Sequence, residues 1–539
     1  MKHTFITIIL SACLFIILVA IATIQVASAH LEVDYGALGL REGDIVGSSD
    51  LNDPDIYIIN EFGSKRLFLS PTIFGFYGHL RFPNVKRLDD AVIDKMPTSG
   101  LFRNCETSDP KVYALEVTGE DAAVLRWINI TGEAANAEDH DFFGKVFCIN
   151  SREFNWYSRG QSYTALSQVP LYRRVNPIPS INETNLPLML PGGFKISIFT
   201  PKIGPLRFMA FSPDGILFVS MPSSKGLYAD NRPDDGKIFA LPDKDNNGVA
   251  DEVKTVLSGL HIPHGITFYN GYLYMAEENK VSRYLYLNDG KVGTREVIAS
   301  LPSGGEHVSR TIGFSSTGKM YVSVGSSCNV CEQASEGPAT IWEFNSDGSG
   351  GRIFAKGLRN TVGFVFHPTT GEIWGTDNGR DHLGEDLPPD EINIVRDGKH
   401  YGWPNCYGKN IHDTDFDKSI YIRNPCMEPF EIPSHFDLQA HSAPLGLRFI
   451  SGSQFPASWK GDLLIARHGS WNRTQPVGYD IVRLDVKDNA VMGEYPFIIG
   501  WLTSTNAKLG RPVDLIFGPD GALYISDDKA NLIYRVTKI

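Results

Sequence analysis

The sequence predicts an all-β protein, a six-bladed β-propeller preceded by a small β-rich region, and three observations point there. Glycine (52) and proline (32) are abundant among 539 residues, which favours short elements joined by turns over a helical bundle. A turn rich in Gly, Asp or Asn followed by a short alternating strand returns six times, with turn glycines at Gly215, Gly271, Gly318, Gly371, Gly461 and Gly521. The steps between them, 47 to 60 residues with one of 90, suit a blade of four short strands. Hydrophobic residues at 42% and aromatic residues at 11% provide for a packed core. With 50 basic against 62 acidic side chains, a net charge of −12 and no run of Lys and Arg, the chain lacks the basic face that nucleic acid or an anionic lipid surface needs.

Taken in order, residues 1–29 read as a signal peptide or an N-terminal anchor. An apolar stretch from Phe5 to Ala29 closes on Val26-Ala27-Ser28-Ala29, a pattern that a signal peptidase cuts, yet it is long enough to span a bilayer. Either way the body is expected outside the cytoplasm. Residues 31–185 form a small β-rich domain with an apparent two-fold repeat: Asp53 to Tyr57 followed by Gly75 to Tyr77, then Asp109 to Tyr113 followed by Asn155 to Tyr157. A Pro-rich linker, Asn176 to Pro191, leads to the propeller at 190–539. Each alternating strand there is expected to bury one face between neighbouring blades, and the long fourth interval, roughly 378–450, must hold an insertion. In an oxidising compartment the six cysteines beyond Cys13 suggest disulfides, and proximity favours Cys105 with Cys148, Cys328 with Cys331, and Cys406 with Cys426. The Cys328–Cys331 spacing also suits a redox or zinc site, but no second such pair completes a zinc tetrad.

Chemistry is expected where the inter-strand loops gather. His307 stands just before an alternating strand, where a neutral imidazole can take a proton from a hydroxyl. Arg207, Arg359 with Asn360, Arg473, and Arg511 with Asp514 hold comparable places in other repeats. Each alone reads as a surface ion pair, whereas converging they make a receptor for a polyanion. The stretch Thr376 to Glu391 is dense in oxygen donors and reads as a calcium site or a solvated acidic loop. Asp243, Asp245, Asn247 and Asp251 form the head of a calcium loop, but Lys254 stands where an EF-hand needs its bidentate Glu, so only a structural calcium loop remains.

Ordered motifs add up to a resemblance. Arg359 to Phe364, Thr376 to Asp381, Asp386 to Asn393, Tyr401 to Pro404, His441 to Gly446, His468 to Arg473 and Gly510 to Asp514 resemble the glucose/sorbosone dehydrogenase family, most closely its sorbosone and pyranose dehydrogenase branch, over residues 190–539. The resemblance implies a six-bladed propeller holding pyrroloquinoline quinone and calcium, and oxidising a sugar or alcohol hydroxyl by hydride transfer to the quinone. It implies His307 as general base and calcium held partly by the backbone carbonyls of Gly379 and Arg380. Arg511 and Arg359, then Arg207 and Arg473, would meet the cofactor's carboxylates, Asn360 would donate to a quinone oxygen, and His264 and His441 would line the sugar pocket. The chain departs from the glucose-oxidising members in having Glu306 before the base and in offering the Arg467 to Arg473 segment where they use a lysine. No haem-attachment motif is present, so an external electron acceptor is implied. Two other classes compete: a non-catalytic extracellular binding propeller, displayed or attached to the envelope through residues 31–185 or the leader, and a calcium-dependent hydrolase or lactonase. The latter would use side-chain carboxylates at the blade mouths, where this chain offers mainly Arg and His.

Overall fold

The structure is a computed structural model that describes residues 38–539 apart from 50–52, 54, 119–122, 171, 173–179, 430 and 504. The expected signal peptide or anchor at 1–29 and part of the expected linker therefore lie outside the described residues. No helix among the described residues is long and apolar enough to cross a membrane. The chain is mostly strand with a few short helices and divides into two units.

Among the described residues, the first unit comprises those within 38–49, 55–68 and 80–172. Its first sheet pairs Ile45–Ser48 antiparallel with Ile56–Ile59 and parallel with Lys86–Leu88, and the second pairs Leu101–Asn104 antiparallel with Tyr113–Val117 and parallel with Val146–Ile149. These two parallel strands, Lys86–Leu88 and Val146–Ile149, are each followed by a short helix, Asp90–Ile93 and Ser151–Trp156, whose first turn is capped by the Asp89 and Asn150 side chains. Tyr57 in Ile56–Ile59 and Tyr113 in Tyr113–Val117 hold equivalent places in the two sheets. The second pair of segments does not correspond. Tyr77 follows helix Pro71–Gly75, which falls in the second unit, whereas Tyr157 follows helix Ser151–Trp156 of the first. Cys105 and Cys148 are bonded within this unit.

The second unit comprises residues 51–54, 69–79 and 174–539. It holds five four-stranded antiparallel sheets, beginning at Met209–Phe211, Ile266–Tyr269, Ile312–Phe314, Phe364–Phe366 and Pro444–Phe449, and a sixth five-stranded one. In the sixth, Phe194–Thr200 from ahead of the first sheet pairs antiparallel with the C-terminal strand Leu532–Lys538, so the two ends of this unit share one sheet. All six turn glycines join the first two strands of a sheet and have φ between 72° and 92°, a conformation that glycine adopts without steric cost. The second strands, expected to bury one face, are buried on both. Leu217 and Val219 pack with Phe199 and Ile533 of the sixth sheet, while Phe218 packs with Leu273 and Met275 of the second. The same alternation joins second to third, third to fourth, fourth to fifth and fifth to sixth sheets. Each sheet is therefore sandwiched between two others, which is why period-two strands read almost uniformly apolar. The long fourth interval holds an insertion between Asp390–Val395 and Phe436–Leu438, closed by Cys406–Cys426.

Candidate active site

In an antiparallel sheet the entry to the first strand and the exit from the second lie at the same end. Residues from these two places, collected over the sheets, line one cavity of about 400 Å³. Arg207, His307, Arg359, Asn360, His441 and Arg511 arrive just ahead of first strands, and Asn378, Gly379, His468 and Gly469 just beyond second strands.

His307 is 8% exposed. Its Nδ1 lies 3.0 Å from the Ser326 carbonyl and 2.9 Å from the Ser326 hydroxyl. A carbonyl only accepts, so Nδ1 carries the proton and Nε2 is left with a lone pair that takes no hydrogen bond among the described residues. Burial, reinforced by the Arg359 charge, pushes the imidazole pKa down to about 3 and keeps it neutral. The loop bearing it is pinned by Arg310, a 1% exposed side chain that donates to the carbonyls of His307, Ser309, Glu278 and Pro302. Behind His307, Gly325 leaves no room for a Cβ, which would stand 2.5 Å from the His307 Cβ and 2.9 Å from Asn360 Oδ1.

Three guanidinium groups line the cavity. Arg207 pairs with Asp528 at 2.8 Å, and His468 Nε2 holds the other oxygen of Asp528 at 2.8 Å. Burial raises the Asp528 pKa, but His468 and Arg207 outweigh it and hold the carboxylate at about 2. His468 Nδ1 in turn faces Arg511 Nη1 at 3.1 Å, which makes a continuous chain from Arg511 through His468 and Asp528 to Arg207. Arg359 donates to Asn329 O at 2.8 Å, Asn329 Oδ1 at 2.7 Å, Asn378 O at 3.1 Å and Asp381 at 3.2 Å. Asp377, fully buried below, accepts from the Arg359 and Asn360 amides and the Thr361 hydroxyl, and burial raises it to about 7. Gly379 donates its amide to Asp390, and a Cβ there would meet the Pro389 carbonyl at 2.8 Å. The carbonyls of Gly379 and Arg380 receive no hydrogen bond among the described residues.

Four expected site residues stand back from the cavity. His264 is fully buried behind Arg207, its Nε2 3.3 Å from Arg207 Nη2 and its Nδ1 3.2 Å from the Arg310 carbonyl. Arg473 turns away to Asp386 at 2.9 Å and to the Glu385 carbonyl. Asp514 is buried between the sixth and first sheets, accepting from Met209 N at 2.9 Å, and burial lifts it to about 6. The Arg380 side chain pairs with Asp413 of the insertion at 2.6 Å, leaving only its backbone for the site. His441 lines the cavity with Nε2 donating to the Gly384 and Leu387 carbonyls at 2.8 and 3.0 Å. Outside this cavity's lining, Asp243, Asp245 and Asp251 bring ligand oxygens within 4.8 Å of one another, while the Asn247 amide donates to Asp243. Burial and the neighbouring Asp245 raise the Asp243 pKa.

Sequence reasoning passed over Asp528, Arg310, Asn329 and Trp471. Asp528 and Asn329 act through partners distant in sequence, which no local pattern announces, whereas Arg310 acts mainly on carbonyls of its own loop. Trp471 is 64% exposed on the cavity rim inside a quoted motif, where its exposure was the missing signal.

The sequence profile of the TrAA12-like family matches residues 192–539. The chain belongs to this family. It is also 34% identical over 371 residues to an uncharacterized protein of Borreliella burgdorferi, a match covering 66% of this chain and 92% of that one. A pyrroloquinoline quinone-dependent sugar dehydrogenase of Hypocrea jecorina is 28% identical over 201 residues, covering 30% of this chain and 47% of the relative. A pyrroloquinoline quinone-dependent pyranose dehydrogenase of Coprinopsis cinerea is 24% identical over 369 residues, covering 55% and 49%. The chain thus spans about half the length of these two named dehydrogenases. In fold it is similar to the holo form of the quinone domain of the Coprinopsis enzyme, at a TM-score of 0.55 and 20% identity, covering 67% of this chain and 100% of that one. A calcium structure of a family AA12 carbohydrate-active enzyme of Trichoderma reesei gives a TM-score of 0.56 at 22% identity, with coverages of 67% and 100%. The likeness read from the ordered motifs is borne out as membership of the quinone-dependent glucose and pyranose dehydrogenase family.

Proposed function

We propose that this TrAA12-like protein is an exported quinoprotein dehydrogenase that oxidises a hydroxyl or lactol of a sugar or alcohol, with an external electron acceptor. The single observation that carries this reading is the cavity that unites a neutral His307, its Nε2 free to accept, with the guanidinium groups of Arg207, Arg359 and Arg511. The six sheets are read as the blades of a closed propeller. Shared cores that run from each sheet to the next and from the sixth to the first support this, as does a space of about 500 Å³ lined by the first strands of all six.

The residues present fit a planar tricarboxylate. The cavity volume lies in the range of roughly 300–1,000 Å³ usual for small-molecule sites, and its wall offers three cations at different points of the rim. When bound, pyrroloquinoline quinone supplies the two-electron acceptor and calcium a Lewis acid beside it. Arg359, Arg511 and Arg207 would hold the carboxylates, Asn360 would donate to an oxygen of the ring system, and the free carbonyls of Gly379 and Arg380 would offer oxygens to calcium. His307 Nε2 takes the proton of the substrate hydroxyl, and Ser326 holds the imidazole in the tautomer that allows it. His441 lines the sugar side, while His264 and Asp514 act from behind, by orienting Arg207 and by fixing the backbone of Met209. Asp243, Asp245, Asn247 and Asp251 are read as a separate structural calcium loop. Residues 31–185, or the leader, would attach the enzyme to the envelope.

The test is absorbance titration of the full chain with pyrroloquinoline quinone and calcium, followed by dye reduction over aldoses, lactols and simple alcohols, with His307→Ala in parallel. The expected result is saturable quinone binding in both proteins and turnover only in the one that keeps His307. Absence of saturable binding would overturn the reading in favour of a non-catalytic binding propeller.

A further inference from the structure

The proposed roles of His307 and Arg359 leave open what fixes the two side chains relative to each other, since they come from different sheets. One short loop touches both. Ser326, which holds His307 Nδ1, also donates its hydroxyl to Cys328 O at 2.7 Å and its amide to Arg359 O at 2.7 Å. Ser327 O accepts from the amide of Glu306, next to His307. Two residues on, Asn329 grips Arg359 twice, through its backbone carbonyl and its side-chain oxygen, and the same Oδ1 accepts from the Asp381 amide at 2.8 Å. Asn329 Nδ2 completes the contact by donating to Asp381 O at 3.2 Å. The loop has no regular hydrogen bonding of its own. It is closed by the Cys328–Cys331 disulfide, which brackets Asn329 on both sides and is half-buried rather than sealed in the core.

We propose that the loop closed by Cys328 and Cys331 is a redox-sensitive clip in which Asn329 is a positioning residue, locking Arg359 and the Asp381 segment in place and, through Ser326, the imidazole of His307. This rests on the roles proposed above for His307 and Arg359, but the clip itself is a matter of geometry. A side-chain amide that must satisfy a guanidinium and two backbone groups at once works only if its backbone is held still, and the covalent ring supplies that restraint. Opening requires a dithiol reductant. One thiolate attacks a sulfur of the Cys328–Cys331 bond to give a mixed disulfide, and the second thiol displaces the cysteine. Two electrons and two protons pass to the cysteines as the reductant closes to its own disulfide. The reduced loop then loses the bracket around Asn329, and Arg359 exchanges fixed carbonyl partners for water.

Hydrogen exchange on the full chain, which needs no cofactor, tests this. The proteins are wild type before and after treatment with dithiothreitol, Asn329→Ala, and the double variant Cys328→Ser with Cys331→Ser. We expect the Asp381 amide and the segment 359–361 to exchange at least tenfold faster in reduced wild type and in both variants. The neighbouring strand Met320–Val324 should stay protected, and dithiothreitol should add nothing in the double variant, which separates this bond from the other two disulfides. Quinone affinity should fall about tenfold in Asn329→Ala with the sugar KM unchanged. Unaltered exchange at Asp381 in the reduced protein and in Asn329→Ala would overturn the clip, as would equal acceleration in Met320–Val324, which would mark the loop as a general fold support. Failure of oxidised wild type to bind quinone would instead refute the dehydrogenase reading and leave the exchange result to judge the clip.

Discussion

The neutral, buried state of His307 makes a quantitative demand on stability. An imidazole whose pKa is near 6.5 in the unfolded chain and about 3 in the folded one binds more protons unfolded than folded throughout that interval. Unfolding free energy contributed by this group is therefore complete above pH 6.5 and is lost as pH falls towards 3. Between pH 7 and pH 4 the two protonation curves give a loss of about 3 kcal/mol from this one side chain. Replacing it with Gln, which keeps a polar group beside Ser326 but does not titrate, should remove that share. The assay is equilibrium denaturant unfolding of wild type and His307→Gln at both pH values. His264, His468 and the carboxylates titrate in both proteins and drop out of the double difference. A wild type that loses about 3 kcal/mol more than the variant supports the buried neutral base. Equal losses would refute it, since they would mean that water reaches the ring and that its protonation is not suppressed. The Arg359 charge is one cause of the depression, so a bound polycarboxylate that neutralises Arg359 should raise the His307 pKa, visible as a shift of its imidazole resonance midpoint to higher pH.

Gly325→Ala would push a Cβ to 2.5 Å from that of His307, and overpacking of this kind costs about 1–3 kcal/mol. Thermal melting should show that loss, and dye reduction should fall by on the order of tenfold to a hundredfold as the base is displaced. Asp528→Asn leaves Arg207 buried without its counter-charge, and breaking such a pair costs about 3–5 kcal/mol. Denaturant unfolding should report it, with a smaller deficit when the quinone is present, because a ligand carboxylate can take the place of the lost charge. Calcium should raise the melting temperature of wild type by a few degrees more than that of Asp245→Ala, measured with the quinone absent. An equal rise would place no calcium at the Asp243 loop.

Most of the second unit was legible because its cause is local. A turn glycine with positive φ followed by a period-two strand is a sequence-level object, and all six positions hold. A further repeated signal went unread: Phe211, Phe268, Phe314, Phe366, Phe449 and Phe517 each stand at or next to the end of a first strand, and each packs on or in a different inter-sheet core. Tyr57 and Tyr113 fall on strands that hold equivalent places in the two sheets of the first unit, whereas Tyr77 and Tyr157 follow helices of different units, and a Tyr after a helix says little about which helix it follows. The disulfides followed from proximity along the chain.

The cavity was legible only as a set of cations, and the reason is electrostatic. Buried guanidinium groups need counter-charges or carbonyls, so each arginine of the wall comes with partners already in place: Asp528 for Arg207, His468 and backbone for Arg511, Asn329 and Asp381 for Arg359. These partners sit dozens to hundreds of residues away and are set by which sheets are neighbours. They also decide what the cations can do. Arg207, half of a close ion pair, presents less net field to a ligand than Arg511, whose partners are the neutral His468, two carbonyls and the Tyr479 hydroxyl. Arg359 lies between them, balanced by one carboxylate at 3.2 Å and otherwise by amides. On this ordering a ligand carboxylate gains most at Arg511, so Arg511→Ala should weaken quinone binding more than Arg207→Ala, by at least tenfold in a direct titration. The reverse order would mean that the ligand displaces Asp528 from Arg207 instead of adding to the existing network.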